Sequence, residues 1–312
     1  MSRARSRNAG ERIARWIRHE LARHPPKAKS LVVTVWGDAI APHGGAVWLG
    51  GLIRLLAPLG LNERLVRTSV YRLAREGWLG ARQIGRRSLY RLTTAGLQRF
   101  EHAYRRIYAA RAAGWDGTWE IVACVAALSS RQRRELKREL GWEGFASIGA
   151  GLYARPGPRK TDLRPLLATL GIVRGVLVLR ARDVAGPAAG SLAARTRESW
   201  DRRRVAAEYR AFLRRFGPVV EDFRAAGAVD PEQAFVVRSL LIHAFRRVTL
   251  HDPGLPDELA PPGWPARDAY ALCRELYRLT RGAAERYLAT TLRAPDGGLP
   301  AAASFGRRFR ES

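Results

Sequence analysis

Apolar residues recur at helical spacing in some stretches of this chain and as short alternating or continuous runs in others. Glu11 to Arg23 carries Ile13, Ile17 and Leu21 four residues apart and is stopped by His24-Pro25-Pro26, which predicts a leading helix. Ser30 to Ile40 (SLVVTVWGDAI) is an apolar run too short to type by period, and His43-Gly44-Gly45 breaks it. Val47 to Leu56 follows and ends at the turn Ala57-Pro58-Leu59-Gly60.

The next segment is the most informative. Asn62 suits an N-cap, Glu63 the first turn and Gly77 the C′ position, so a helix is predicted from Glu63 to Glu76. Its two faces differ in character. Val66, Val70, Leu73 and Ala74 form an inner stripe, and Arg64, Arg67, Thr68, Tyr71 and Arg75 recur at spacings of three and four on the other side. Trp78-Leu79 then opens a strand, and Arg82 to Tyr90 reads as a hairpin with its tip at Gly85 and Arg86 and Arg87 beside it. Thr93-Thr94 caps a further helix through Leu97, Phe100, Tyr104 and Ile107.

Gly114-Trp115-Asp116-Gly117 marks a boundary. Beyond it lie a strand (Trp119 to Leu128), a basic helix (Arg131 to Leu140), a strand pair or one bent strand (Phe145 to Arg155), a helix (Thr161 to Leu170) and a last strand (Val176 to Arg180). That order suggests a ferredoxin-like domain. After the linker Ala185 to Gly190 the chain reads as helical: Trp200 to Ala226, a helix opened by Asp230-Pro231, and another opened by Trp264-Pro265.

The expected fold is therefore α+β and multidomain, with an N-terminal winged helix-turn-helix, a central ferredoxin-like α+β domain and a C-terminal all-helical domain. The expected segments are a basic arm (1–28), a winged helix domain (29–112), the central domain (115–184), the helical domain (190–293) and a disordered tail (294–312).

Charge changes the picture from fold to partner. The chain carries 55 Lys and Arg against 28 Asp and Glu, a net +27. Residues 1 to 110 hold 21 of those basic residues and 6 of the acidic ones, an excess of 15 in about a third of the chain. An arginine-rich proteome would spread its arginines over every solvated face; concentration around one two-faced helix points to a polyanion. Cys124 and Cys273 lack any metal-ligand spacing, and no stretch reaches the ~18 apolar residues of a membrane span. A cytoplasmic, nucleoid-associated protein without metal or cofactor is expected.

In a helix-turn-helix docking the N-terminal side chains of the second helix reach base edges. Arg64, Arg67 and Thr68 are placed for that; Tyr71 and Arg75 are nearer the phosphates. Arg82, Arg86 and Arg87 of the hairpin are candidates for the backbone or minor groove. The helix bearing Arg131, Arg133, Arg134, Lys137 and Arg138 reads as a solvated outer face. Trp200, Tyr209, Phe212, His243, Phe245 and Tyr277 read as core at helical spacing, His243 as the satisfied partner of a neighbour, and His43 as a loop residue. The loop from Arg155 through Arg159 and Lys160 is a candidate holder of phosphates.

No GxSxG, HExxH, P-loop or post-strand GxGxxG is present, and the first central strand ends at Cys124-Val125-Ala126-Ala127 without a metal-binding Asp. A nucleic-acid-processing enzyme is thereby disfavoured. A non-specific architectural DNA-binding protein stays open, since charge alone would suffice for it.

The run TVWGDAIAPHGGAVWLGGLIRLLAPLGLNERLVRTSVYRLAREGWL, with IGRRSLYRLT, the central FASIGAGLYARPG and the C-terminal RRVTLHDPGLPDELAPPGWPARDAYALCRELYR, resembles the PaaX family of repressors of phenylacetate catabolism over about 280 residues. The resemblance implies a homodimeric repressor on a palindromic double-stranded DNA operator, released by an aryl-CoA thioester, typically phenylacetyl-CoA.

Overall fold

A computed structural model describes residues 2–108, 114–157, 162–184, 191–198, 202–252, 254–292, 300, 302, 308 and 309. The elements run α1 (Ser2–Arg23), α2 (Ala28–Val35), a π-helical turn (Trp36–Ile40), β1 (Ala46–Trp48), α3 (Leu49–Leu56), α4 (Glu63–Arg75), β2 (Leu79–Ile84), β3 (Arg87–Leu92) and α5 (Thr94–Tyr108). They continue with β4 (Thr118–Cys124), α6 (Ser130–Trp142), β5 (Ala146–Gly149), β6 (Leu152–Pro156), α7 (Arg164–Thr169), β7 (Val176–Arg182), α8 (Leu192–Glu198), α9 (Arg202–Ala225), α10 (Pro231–Thr249) and α11 (Ala266–Thr291). Two compact units result, one of residues 1–109, 209–247 and 266–311, the other mainly of 110–208 and 248–265.

In the first unit the untyped apolar run is helical. Leu31, Val32, Val35, Trp36, Ala39 and Ile40 are all buried, so α2 and the π-turn are covered on every side and show no amphipathic period. β1, β3 and β2 form an antiparallel sheet in that order, with Val47 opposite Tyr90 and Ile84 opposite Arg87. The unit also takes in residues 209–247 and 266–292 of the C-terminal helical region. α10 is apolar nearly all round, with Phe235, Val236, Val237, Leu240, Leu241 and Phe245 buried, and such a helix needs partners on several sides. It meets α9 through Phe212 and Phe245 (5.4 Å between rings), α11 through Phe235 and Tyr287 (5.2 Å), and α2 through Thr34 and His243 (3.0 Å).

The leading arm is a packed helix. Ala9, Ile13 and Glu20 are buried, Trp16 lies 5.4 Å from Phe216 and donates to the Arg215 carbonyl, and Glu20 pairs with Arg215 of α9.

Beneath these apolar contacts lies a buried polar cluster. Asp38, on the π-turn, is 2% exposed. Its carboxylate accepts from the Tyr108 hydroxyl (2.6 Å), the Tyr277 hydroxyl (3.2 Å) and Arg308 Nη1 (2.9 Å), and pairs with Arg238 Nε at 3.0 Å. Arg238 also donates to Glu285 (2.6 Å), whose other oxygen meets His43 Nε2 at 2.9 Å. Two guanidinium groups thus face two carboxylates, the arrangement that makes buried charge tolerable. Burial alone would raise the Glu285 pKa, but hydrogen bonds and charge from His43 and Arg238 lower it.

One expectation is corrected here. His43 is buried in a 3₁₀ turn (Ala41–His43), with Nδ1 2.5 Å from the Pro300 carbonyl, because Glu285 and that carbonyl supply acceptors for both ring nitrogens. The segment 294–312, expected to be a disordered tail, lies mostly outside the described residues; within it, Arg308 and Phe309 are buried against Asp38 and an aromatic cluster.

In the second unit all strand pairs are antiparallel in the order β5-β6-β4-β7. Phe145 to Arg155 resolves into two strands with a bulge between Ser147 and Gly149. Ser129 and Gln132 form a capping box at α6, satisfying two orphan amide donors. Leu136, Leu140, Leu163 and Leu167 cover Val122, Tyr153 and Val176 on one sheet face, each buried apolar side chain contributing about 1.5–3 kcal/mol. Trp119 and Ala154 on the other face pack against Ala193, Leu255 and Leu259.

Candidate nucleic-acid interface

α4 begins where its sequence directs. The Asn62 side chain accepts from the Leu65 amide at 2.9 Å, replacing one missing intrahelical partner. At the other end Gly77 adopts φ +74°, and the Trp78 and Gly77 amides donate to the carbonyls of Leu73 (2.9 Å) and Ala74 (3.0 Å). That pair is a Schellman closure and requires the left-handed residue that glycine supplies. Val66, Ser69, Val70 and Leu73 are buried, and the face packs against α2 and α3. One polar residue in that inner stripe, Ser69, is satisfied by donating to the Leu65 carbonyl at 2.7 Å.

The opposite face is open. Arg64, Arg67, Thr68, Tyr71 and Arg75 are all exposed, Tyr71 by 60%. Arg72, not singled out from the sequence, is exposed too; its place one turn after Thr68 was the available signal. Arg67 donates through Nε to Glu63 (2.7 Å), an i,i+4 pair exposed on both sides that aligns the guanidinium along the helix at small energetic cost.

The hairpin β2–β3 stands beside this helix in sequence and carries the remaining candidates. Its connection is two residues long, Gly85-Arg86, between the paired Ile84 and Arg87. Positive φ at Gly85 alone (+57°) is the II′ pattern that matches strand twist. Gln83 and Ser88 tie the tip together, Gln83 donating to the Gly85 carbonyl and accepting from Ser88. Arg82, Arg86 and Arg87 are exposed, and Arg87 lies 6.0 Å from the Trp48 ring of β1. The hairpin base is fixed by α5: a Cβ on Gly96 would come within 2.2 Å of the Trp78 carbonyl oxygen, so that approach depends on glycine.

All eight candidate DNA-contacting residues are thus solvent-accessible within one unit, on a capped helix and an adjacent hairpin. The candidate effector loop is different. Arg155 is fully buried, bonded to Glu120 (2.6 Å) and the Glu143 carbonyl (2.8 Å), with its guanidinium 4.5 Å from the Phe145 ring. The Arg155 side chain is thereby engaged inside the unit and withdrawn from solvent; Arg159 and Lys160 lie outside the described residues.

The other residues fall as core or surface. Tyr209, Phe212, Phe245 and Tyr277 are buried; Trp200 lies outside the described residues. His243 meets Thr34 and its pKa is lowered to about 4, first by burial and then by Arg246 and other nearby arginines. Arg131, Arg133, Arg134, Lys137 and Arg138 are exposed on α6, with Arg131 paired to Glu135 and Arg138 to Glu139. Among the described residues no group of three or more His, Cys, Asp or Glu is arranged to hold a metal, and no helix is long and apolar enough to cross a membrane.

Three family models match successive segments of the chain. Residues 27–96 match the PaaX-like protein family, residues 112–193 the PaaX protein central Cas2-like domain, and residues 200–290 the PaaX-like protein C-terminal domain. The transcriptional repressor PaaX of Escherichia coli is 36% identical over 296 residues, covering 94% of this chain and 93% of its own. Among solved structures, the uncharacterized protein Rv0674 from Mycobacterium tuberculosis matches with a TM-score of 0.52 and 26% identity, over 85% of this chain and 99% of its own.

Proposed function

This chain belongs to the PaaX family, and we propose that it is a sequence-specific DNA-binding repressor of an aromatic-acid catabolic operon, that of phenylacetate. Its relative is a transcriptional repressor, so the chain is a regulator rather than an enzyme. The single observation that carries the reading is the exposed face of α4, basic and hydrogen-bonding over its whole length, on a helix capped at both ends and buried on its other side.

In this reading α3, α4 and the β2–β3 hairpin are a winged helix. α4 enters the major groove with Arg64, Arg67 and Thr68 toward base edges, while Tyr71, Arg75, Arg82, Arg86 and Arg87 meet phosphates or the minor groove. A bidentate arginine–guanine contact discriminates by about 1–3 kcal/mol. The βαββαβ order of the second unit, with β4 between β6 and β7, supports a ferredoxin-like class. A single winged helix reads few base pairs, which favours a homodimer on a palindromic operator. An aryl-CoA thioester such as phenylacetyl-CoA is the proposed releasing effector, acting in the cytoplasm; Arg155 has no part in holding it.

Footprinting on the chain's own upstream region, with and without phenylacetyl-CoA, tests both parts. Protection of a palindrome that is lost on adding the thioester is expected. Equal affinity for operator and random DNA at fixed salt would reduce the protein to an architectural binder, and protection indifferent to acyl-CoA would remove the effector.

A further inference from the structure

The buried cluster around Asp38 contains one member from far along the chain. Arg308 donates from Nη1 to the Asp38 carboxylate (2.9 Å), the Asp38 carbonyl (2.8 Å) and the Tyr277 hydroxyl (2.6 Å), and from Nη2 to the Gly37 carbonyl (3.2 Å). Three tyrosines surround the same guanidinium, with ring centroids 4.4 Å (Tyr108), 5.5 Å (Tyr104) and 6.0 Å (Tyr277) from its central carbon. Carboxylate, two backbone carbonyls and an aromatic box together form a complete receptor for one cation.

Phe309 completes the contact. Its ring packs 5.2–5.5 Å from Tyr277, Tyr108 and Tyr270, and its amide donates to the Tyr108 carbonyl at 2.9 Å. Its φ of +54° is left-handed, a conformation that a bulky residue keeps only where its surroundings hold it there. Both residues are therefore held by side-chain contacts with residues far away in the chain.

The seat lies at a mechanically sensitive place. Asp38 and Gly37 belong to the π-turn that continues α2, and α2 packs on α4. π-turns within helices mark sites where the backbone ladder is interrupted and local geometry is held from outside. A buried ion pair contributes little net stability compared with apolar packing, and its best-attested use is to select between states.

We propose that Arg308 and Phe309 form a releasable latch, whose docking on the Asp38 seat fixes the π-turn and through α2 sets the position of α4. The link to DNA rests on the reading of α4 as the recognition helix; the latch itself does not.

The test compares the full chain with Arg308→Ala by amide hydrogen exchange, without DNA. The variant is expected to stay folded by circular dichroism while amides of residues 36–43 exchange at least tenfold faster, with the β4–β7 sheet unchanged. A synthetic peptide of residues 300–312 is expected to restore protection by supplying Arg308 to the seat in trans. Unchanged exchange in residues 36–43, global unfolding of the variant, or failure of the peptide to restore protection would each overturn the latch.

Operator affinity is read second, and about a tenfold loss restored by the peptide is expected. An unchanged affinity beside altered exchange would overturn the coupling to α4. Absence of operator preference in the unsubstituted protein would instead remove the DNA reading and leave the exchange result to decide the latch.

Discussion

Two groups of arginines in one compact unit have opposite surroundings. Those on α4 and the β2–β3 hairpin project into solvent with at most an exposed neighbour such as Glu63, while Arg238 and Arg308 are buried against Asp38, Glu285 and three tyrosines. The same side chain is thus kept available in one place and buried against anions in the other. Net charge alone could not separate these roles, because each arginine adds equally to it.

The contrast breaks hardest where the buried set loses its anion. Asp38→Ala leaves Arg238 and Arg308 without their shared carboxylate, and a loss of about 3–5 kcal/mol is expected from removing one partner of a buried ion pair. Denaturant midpoints at constant m-value measure it; a loss below about 1 kcal/mol would mean the two guanidinium groups find water.

His243 sharpens the same side of the comparison through pH. Its folded pKa of about 4 lies below the ordinary histidine value of 6.5. The unfolded chain therefore binds this proton first, and the stabilisation is whole above pH 6.5 and lost as pH falls toward 4. The loss is on the order of 3 kcal/mol by the linkage relation. Stability curves of the protein and of His243→Gln should converge in that window; parallel curves would assign the acid sensitivity elsewhere.

On the exposed side, Arg67→Ala is expected to leave stability within about 0.5 kcal/mol of the original. Operator binding should weaken by about 1–3 kcal/mol, with a smaller effect on random DNA. Equal losses on both DNAs, read by titration at one salt concentration, would make Arg67 a phosphate contact. The smallest effect belongs to the hairpin tip: Arg86→Ala should weaken binding to both DNAs alike and reduce the salt slope by about 1. An unchanged slope would put that tip off the DNA.

How much of this was legible in the sequence follows the range of the interactions. The ends and the two-faced character of α4 could be read, though not Ser69 or Arg72, because its N-cap, its C′ glycine and its stripes lie within 16 residues, Asn62 to Gly77. The hairpin was legible for the same reason. The helical state of SLVVTVWGDAI was not, since a run buried on all sides carries no period. Nor was the Asp38 cluster, whose partners lie 70, 239 and 270 residues away at Tyr108, Tyr277 and Arg308. A lone carboxylate inside an apolar run was its only local trace. The pairing of Arg155 was equally out of reach, since a Pro- and Arg-rich stretch gives no sign that Glu120 and Glu143, 35 and 12 residues upstream, hold the guanidinium.

The contact between Arg308 and Asp38 also gives the unit a history in time. A chain emerging from the ribosome presents the helix that carries Asn62 and the arginines early, but the seat at Asp38 stays unfilled until 270 further residues have been made. Closing so distant a pair is slow, because the loop entropy is lost before the contact returns anything. A half-made chain therefore carries its cationic helix before Arg308 exists, and the proposed latch can close only after residue 308 has been made.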